Sequence, residues 1–213
     1  MKNNETLCIY SETIERVIQF AYLGSIIDNT GGTEVDITAR IHKAQISFCA
    51  LNKIWHSTAY STQPKLRIFK TNVKAFLLYS CETWKTSKCV TAKLQVFINK
   101  CLRKILRIAW PVQITIEELW KRTKQPRIDL EIRKRKWGWL GQTVRKPSDD
   151  MARQALEWNH QGKRGEGRPR DAWRKTVLLE DKRVKKTWTE IKTDANNRVR
   201  WKILVEALCS AAE

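Results

Sequence analysis

Apolar positions recur with the spacing of strands over the first 30 residues and with the spacing of helices from about residue 34 onward. Thr6–Tyr10, Ile14–Ile18 and Phe20–Ile27 read as extended segments, with Ser11-Glu12 and Asn29-Thr30-Gly31-Gly32 supplying turns. Ile37, Ile41, Ala44, Phe48, Leu51 and Trp55 then step by 4, 3, 4, 3 and 4, which puts them on one face of an amphipathic helix over residues 34–56. Ser61 or Thr62 as cap and Pro64 in the first turn start a second helix, with the apolar stripe Leu66, Phe69, Val73, Phe76, Leu77 and Trp84. Arg67, Lys70 and Lys74 share a different face of it. A third helix near Thr91–Ala109 turns Leu94, Ile98, Cys101, Ile105 and Ile108 inward and lines up Lys93, Lys100, Lys104 and Arg107 elsewhere, until Pro111 ends it.

Thr115 with Glu118 three residues on reads as a capping box for a short helix. A longer helix follows over Ile128–Val144, and Ser148-Asp149-Asp150 caps another that runs to about Trp158. Residues 161–170 hold three Gly, one Pro and four basic residues, the composition of a linker. Two final helices, about 172–185 and 188–208, complete the chain. The expectation is a mainly α protein with a small N-terminal β-hairpin or sheet, a helical bundle and a basic helical C-terminal region. Its units are 1–33, 34–110, 111–160, the linker 161–170, and 171–213.

Composition sharpens this picture. The chain of 213 residues is 42% hydrophobic and holds ten Trp, enough to build a core and too many aromatics for a disordered polycation. The net charge of +19 is unevenly placed. Lys and Arg stand against Asp and Glu as 5 to 6 in residues 1–60, 11 to 1 in 61–110, 10 to 4 in 111–147 and 15 to 11 in 148–213. A field concentrated between 61 and 147 attracts polyanions, so RNA, DNA or their hybrid is the expected partner. The longest apolar run, Ala75–Tyr79, is far short of the roughly 20 residues that cross a bilayer, so no membrane partner is expected. Residues 1–5 lack the apolar stretch of a secretory signal, which implies an intracellular, reducing location and free thiols.

The cysteines at 8, 49, 81, 89, 101 and 209 include no Cys-x-x-Cys pair, and His42, His56 and His160 are scattered, so no metal and no cofactor is expected. Cys101 and Cys209 read as buried small hydrophobes. Palm-type polymerases need two carboxylates holding two Mg²⁺ ions. Asp149-Asp150, the adjacent Asp-Asp pair in this chain, precedes a helical pattern where acids complement the N-terminal dipole, so capping is the expected role. Phosphate-loop, His-Glu-x-x-His and Gly-x-Ser-x-Gly motifs are absent. No catalytic residue is assigned.

A resemblance enters with Val17-Ile18-Gln19-Phe20-Ala21-Tyr22-Leu23-Gly24-Ser25-Ile26-Ile27, followed after a Gly-rich turn by Asp36-Ile37, Arg40-Ile41 and Lys43-Ala44. Further matches follow in order: Leu77–Trp84, Cys101–Leu106, Trp137–Gln142, Gly167-Arg168-Pro169 with Trp173, and Arg200-Trp201 with Leu204–Cys209. Together this series resembles the region behind the catalytic motifs of non-LTR, LINE-type retrotransposon reverse transcriptases. The endonuclease, fingers and catalytic palm of that family lie outside these residues, and Ser80 stands where the family pattern has Gly.

The resemblance implies that Phe20, Tyr22, Leu23 and Gly24 form a primer-grip-like element and that residues 34–110 form the thumb, which rides on template-primer duplex. It implies a non-catalytic, nucleic-acid-gripping part of a polymerase, a palm-containing reverse transcriptase as a further partner, and a nuclear site of action besides the cytoplasm. Arg67, Lys70, Lys74, Lys100, Arg103, Lys104 and Arg107 are its candidates for phosphate contacts, against the plain alternative of a solvated face. Arg133, Lys134, Arg135 and Lys136 form a second basic run beside Trp137 and Trp139, whose rings are expected in the core more than stacked on bases. Lys163, Arg164, Arg168 and Arg170 form a third group, able to follow a backbone or simply to join two units. Two rival readings stand beside this one: a truncated element's product without function, and a protein-interaction module docking through the Ile37–Trp55 face.

Overall fold

The computed structural model describes residues 8–29, 32–109, 111–158 and 186–210 together with Trp173, Val177 and Leu179. The architecture is mainly α behind a small β region, as the periodicity predicts. Strand β1 (Cys8–Ile9) pairs antiparallel with β2 (Glu12–Thr13), and β3 (Gln19–Tyr22) with β4 (Ser25–Asp28). The segment Phe20–Ile27, expected as one strand, is therefore a hairpin. Leu23 (φ 48°) and Gly24 (φ 80°) both lie in the left-handed region between the paired Tyr22 and Ser25, the backbone of a two-residue type I′ turn. A Leu in the first turn position hides this turn from a reading by residue type. Tyr10 and Ser11, also at positive φ, close the first hairpin, and residues 14–18 lie outside both ladders.

The expected helix over 34–56 is α1 (Glu34–Ala50) and α2 (Asn52–His56), broken at Leu51. The break lets the Trp55 indole N–H donate to the Phe48 carbonyl at 2.7 Å while the two rings stack at 5.0 Å. Helix α3 (Thr62–Ile68) runs through a π-helical turn (Phe69–Val73) into α4 (Lys74–Leu77). A π turn spends one more residue than an α turn, and this rotates everything beyond it. The buried stripe therefore continues through Val73 to Leu77 and Leu78, while Phe76, expected inside, is half exposed. Trp84 reaches the core from beyond a 3-10 turn (Cys81–Thr83) and not from the helix.

Helix α5 (Lys88–Ile105) starts earlier than expected because the Ser87 hydroxyl caps the Val90 N–H. It ends where Arg107 turns left-handed and the Ile108 N–H returns to the Arg103 carbonyl at 2.9 Å. Helix α6 (Ile116–Thr123) has half of the expected capping box, since Thr115 accepts from the Glu118 N–H while the Glu118 carboxylate takes Arg122 at 2.7 Å instead. Helix α7 (Ile128–Val144) has the predicted bounds. Asp150 caps α8 (Met151–Glu157), accepting from the N–H groups of Ala152 and Arg153. The expected last helix is two, α9 (Trp188–Asn196) and α10 (Arg198–Ser210), because Asn197 leaves the helical conformation and its side chain accepts from the N–H groups of Val199 and Arg200.

Two apolar cores share α7. The first joins Ile37, Phe48, Trp55, Phe69, Leu77, Trp84, Leu94 and Leu102 to Leu119, Ile128 and Ile132. The second gathers Trp137, Leu140 and Val144 with Leu156, Val177, Ile191, Trp201 and Leu208. The change of core thus falls inside α7, between Ile132 and Trp137. Trp137 and Trp139 are both core rings, the first against Trp201 at 5.7 Å and the second edge-on to Trp173 at 5.3 Å. The Ile37–Trp55 face is spent inside the first core, which removes it as an external helix-docking surface.

Cys101 is buried as expected and Cys209 is half-buried, its thiol on the Leu130 carbonyl. Burial pushes the Cys81 and Cys101 thiols up to about 12. Among the described residues no helix is long and apolar enough to cross a membrane.

Gly141 allows α7 and α10 to meet. A Cβ there would stand 2.1 Å from the Trp201 indole nitrogen, whose N–H donates to the Trp137 carbonyl at 3.0 Å. Gly141→Ala is expected to lower stability by about 2 kcal/mol in urea unfolding. Gly138→Ala, where nothing lies within 4 Å of the new methyl, is expected to be neutral or to add up to about 1 kcal/mol.

Candidate nucleic-acid interface

The interface begins with a buried carboxylate. Asp36, in the first turn of α1, accepts the Ile26 N–H of β4 at 2.9 Å and the Trp84 indole N–H at 3.0 Å. Arg40, one turn on and also buried, sits 3.6 Å from the same carboxylate and donates to the Ser25 hydroxyl at 2.8 Å. Its guanidinium lies over the Tyr79 ring, 4.5 Å from the centroid, which fixes Tyr79 at the surface by a cation–π contact. The hairpin, α1 and the segment after α4 are thereby locked around one charge.

That segment borders an open groove of about 560 Å³, lined by Arg67, Lys70, Thr71, Ala75 and Leu78–Ser80 together with Glu82 and Arg135. Arg67, Lys70 and Thr71 are neighbours on one exposed face because they stand three and four apart, and the π turn carries the latter two. Arg135 comes from α7 and is steered by the Leu78 carbonyl and the Glu131 carboxylate, each at 3.4 Å. The structure thus brings together three candidates from two separate basic runs. Tyr79, Ser80 and Glu82 were not singled out by charge or periodicity. They do fall in the stretch Leu77–Trp84.

Two predicted phosphate contacts are corrected. Lys74 is 2% exposed, with its ammonium bound to Gln125 at 3.0 Å and ion-paired with Glu131. The π turn rotates it from the Arg67 and Lys70 face into the space between α4 and α7. Lys136 is 1% exposed and donates to the Trp84 carbonyl at 2.8 Å and the Thr86 hydroxyl at 3.4 Å. Both are structural cations that hold α7 to the first core. Lys65, in α3, is likewise buried and closes α2 by donating to the carbonyls of Trp55 and Ser57. Burial, with Arg107 adding repulsion, lowers its pKa.

The remaining candidates are dispersed. Lys100 and Lys104 are exposed on α5 and Arg103 is half-buried there, with the Lys104 ammonium 5.9 Å from the Phe48 ring centre. Arg107 is exposed but bonded to the His56 carbonyl. Lys134 is exposed, and Arg133 donates to the Leu208 carbonyl at 3.2 Å. Lys163, Arg164, Arg168 and Arg170 lie outside the described residues. Phe20, Tyr22 and Leu23 are exposed on the β3–β4 hairpin, and the Gly24 carbonyl receives Lys43 at 3.4 Å.

Among the described residues no group of three or more His, Cys, Asp or Glu could hold a metal ion. Asp150 acts as the expected cap, its pKa lowered by the hydrogen bond from Lys146 and by the backbone N–H groups of the helix it starts.

A family model described as a domain of unknown function, DUF6451, matches residues 47–79. No curated protein and no solved structure matches the chain. The matched stretch runs from the end of α1 through the π turn, and it contains Arg67, Lys70 and Tyr79 of the groove.

Ser80 adopts φ 64°, a left-handed conformation that glycine takes without strain. Ser80→Gly is expected to raise stability by about 1 kcal/mol, read as a shift of the urea midpoint. Lys74→Met, which leaves Glu131 with only the longer ion pair to Arg135, is expected to cost about 2 kcal/mol in the same assay, while Lys70→Met, exposed and without an ion pair among the described residues, stays within about 0.5 kcal/mol of the parent.

Proposed function

We propose that the protein grips nucleic acid electrostatically, as the primer-grip, thumb and C-terminal part of a LINE-type retrotransposon reverse transcriptase, and performs no polymerisation by itself. The carrying observation is the groove in which Arg67, Lys70 and Arg135 converge beside the exposed Tyr79 ring. Cations spaced along one face neutralise successive phosphates of RNA, DNA or their hybrid, and an aromatic at the rim offers a stacking platform. Lys100, Lys104 and Lys134 add field around it without forming part of the groove. The exposed Phe20, Tyr22 and Leu23 of the hairpin, in a stretch of balanced charge, suit contact with a palm-bearing polymerase chain better than contact with phosphate. The nucleus or cytoplasm, where such a polymerase meets its template, is the proposed location.

Affinity for a fluorescent oligonucleotide is expected to fall steeply between about 50 and 200 mM salt for every sequence tried. The double variant Arg67→Gln/Lys70→Gln is expected to weaken binding uniformly and to reduce the slope of log affinity against log salt by about two. Salt-insensitive or absent binding defeats the proposal. Metal-dependent primer extension by the purified chain defeats its non-catalytic half.

A further inference from the structure

Glu82 is the sole acid among the residues 61–110 that carry eleven cations, and it lines the basic groove. Glu82 is half-buried, and among the described residues its carboxylate has no hydrogen-bond or ion-pair partner, although Arg135 lines the same groove. A carboxylate without a protein partner in a basic groove repels phosphate oxygens, and once a bound strand displaces the water from it, a donor on that strand is what satisfies it. Along a nucleic-acid strand the donor that recurs at every nucleotide, at the level of the backbone, is the ribose 2′-hydroxyl. Base amino groups also donate, but they differ from base to base and point away from the backbone that Arg67 and Lys70 would track.

We infer that Glu82 is a specificity-determining residue that accepts a hydrogen bond from a ribose 2′-hydroxyl, so that the groove selects an RNA strand over a DNA strand. The inference rests on the nucleic-acid reading above and deepens it. Arg67, Lys70 and Arg135 take the phosphates that flank one sugar, the hydroxyls of Thr71 and Ser80 line the path between them, and Tyr79 stands at the rim for the base. The 3-10 turn Cys81–Thr83 holds Glu82 in place, anchored on one side by the buried Cys81 and on the other by Trp84. A DNA strand presents carbon–hydrogen bonds where this acceptor needs a donor, and it leaves the carboxylate desolvated and unpaired.

The test is equilibrium anisotropy of the full chain with three labelled single strands of one sequence: RNA, DNA, and RNA methylated at every 2′-oxygen. RNA is expected to bind about tenfold more tightly than DNA, the worth of one hydrogen bond to a charged group. The methylated strand, which keeps ribose shape but has no donor, is expected to bind like DNA. Glu82→Ala is expected to erase the difference chiefly by raising affinity for DNA, as a repulsive charge is removed. Glu82→Gln, which retains an acceptor at the same place, keeps a reduced preference and serves if the alanine variant fails to fold.

Equal, salt-dependent binding of RNA and DNA by the parent chain overturns this inference while the proposed function stands. Binding of methylated RNA as tightly as RNA, or a preference that changes with base sequence, also overturns it. No binding to any strand overturns the proposed function itself.

Discussion

Trp84 is the residue through which the described parts of this protein are joined. Its indole N–H donates to Asp36, which in turn holds β4 and Arg40, and its carbonyl receives the ammonium of Lys136 on α7. A buried carboxylate and a buried ammonium need fixed donors and acceptors in place of the water they have lost. Each therefore specifies the position of its partners strongly, because losing any one leaves a charge exposed to apolar surroundings. The hairpin, the first helix and the shared helix α7 are registered against one another at this point. The groove, whose walls come from α3, the π turn and α7, inherits its shape from it.

The π turn is the second determinant. By spending an extra residue between Phe69 and Val73 it divides the basic face of the second helix, leaving Arg67 and Lys70 in the groove and sending Lys74 inward to Glu131. Charge that looks uniform in sequence is thus split between an open groove and buried packing. A similar split occurs in the basic run of α7, where Lys136 is buried, Arg135 enters the groove and Lys134 faces outward. Successive residues of a helix point about 100° apart, so a run of four cations cannot serve one surface.

The acid in the groove and the aromatic at its rim give the candidate site a character that net charge does not. Glu82 places a negative charge among the cations of the groove, while the Tyr79 ring is held by the Arg40 guanidinium. A preordered ring costs less entropy on binding than a free one.

Several features were determined by the sequence alone. The bounds of α7, the Asp150 cap, the burial of the Ile37–Trp55 stripe and the core placement of Trp137 follow from short-range rules of helix period and capping, which act within a few residues. The mainly α class follows from the same periodicity. Tertiary structure alone decided the Leu23-Gly24 turn, the π turn and the sharing of α7 by two cores. It also decided which cations are free. Whether a lysine meets solvent or a buried glutamate depends on a partner 57 residues away, as with Lys74 and Glu131, and no local pattern carries that information. The collinear motifs mark the same division. Gly141 and Trp201 stand in different motifs and acquire their reason only where α7 and α10 touch, since a methyl group at 141 and the Trp201 indole cannot occupy one space.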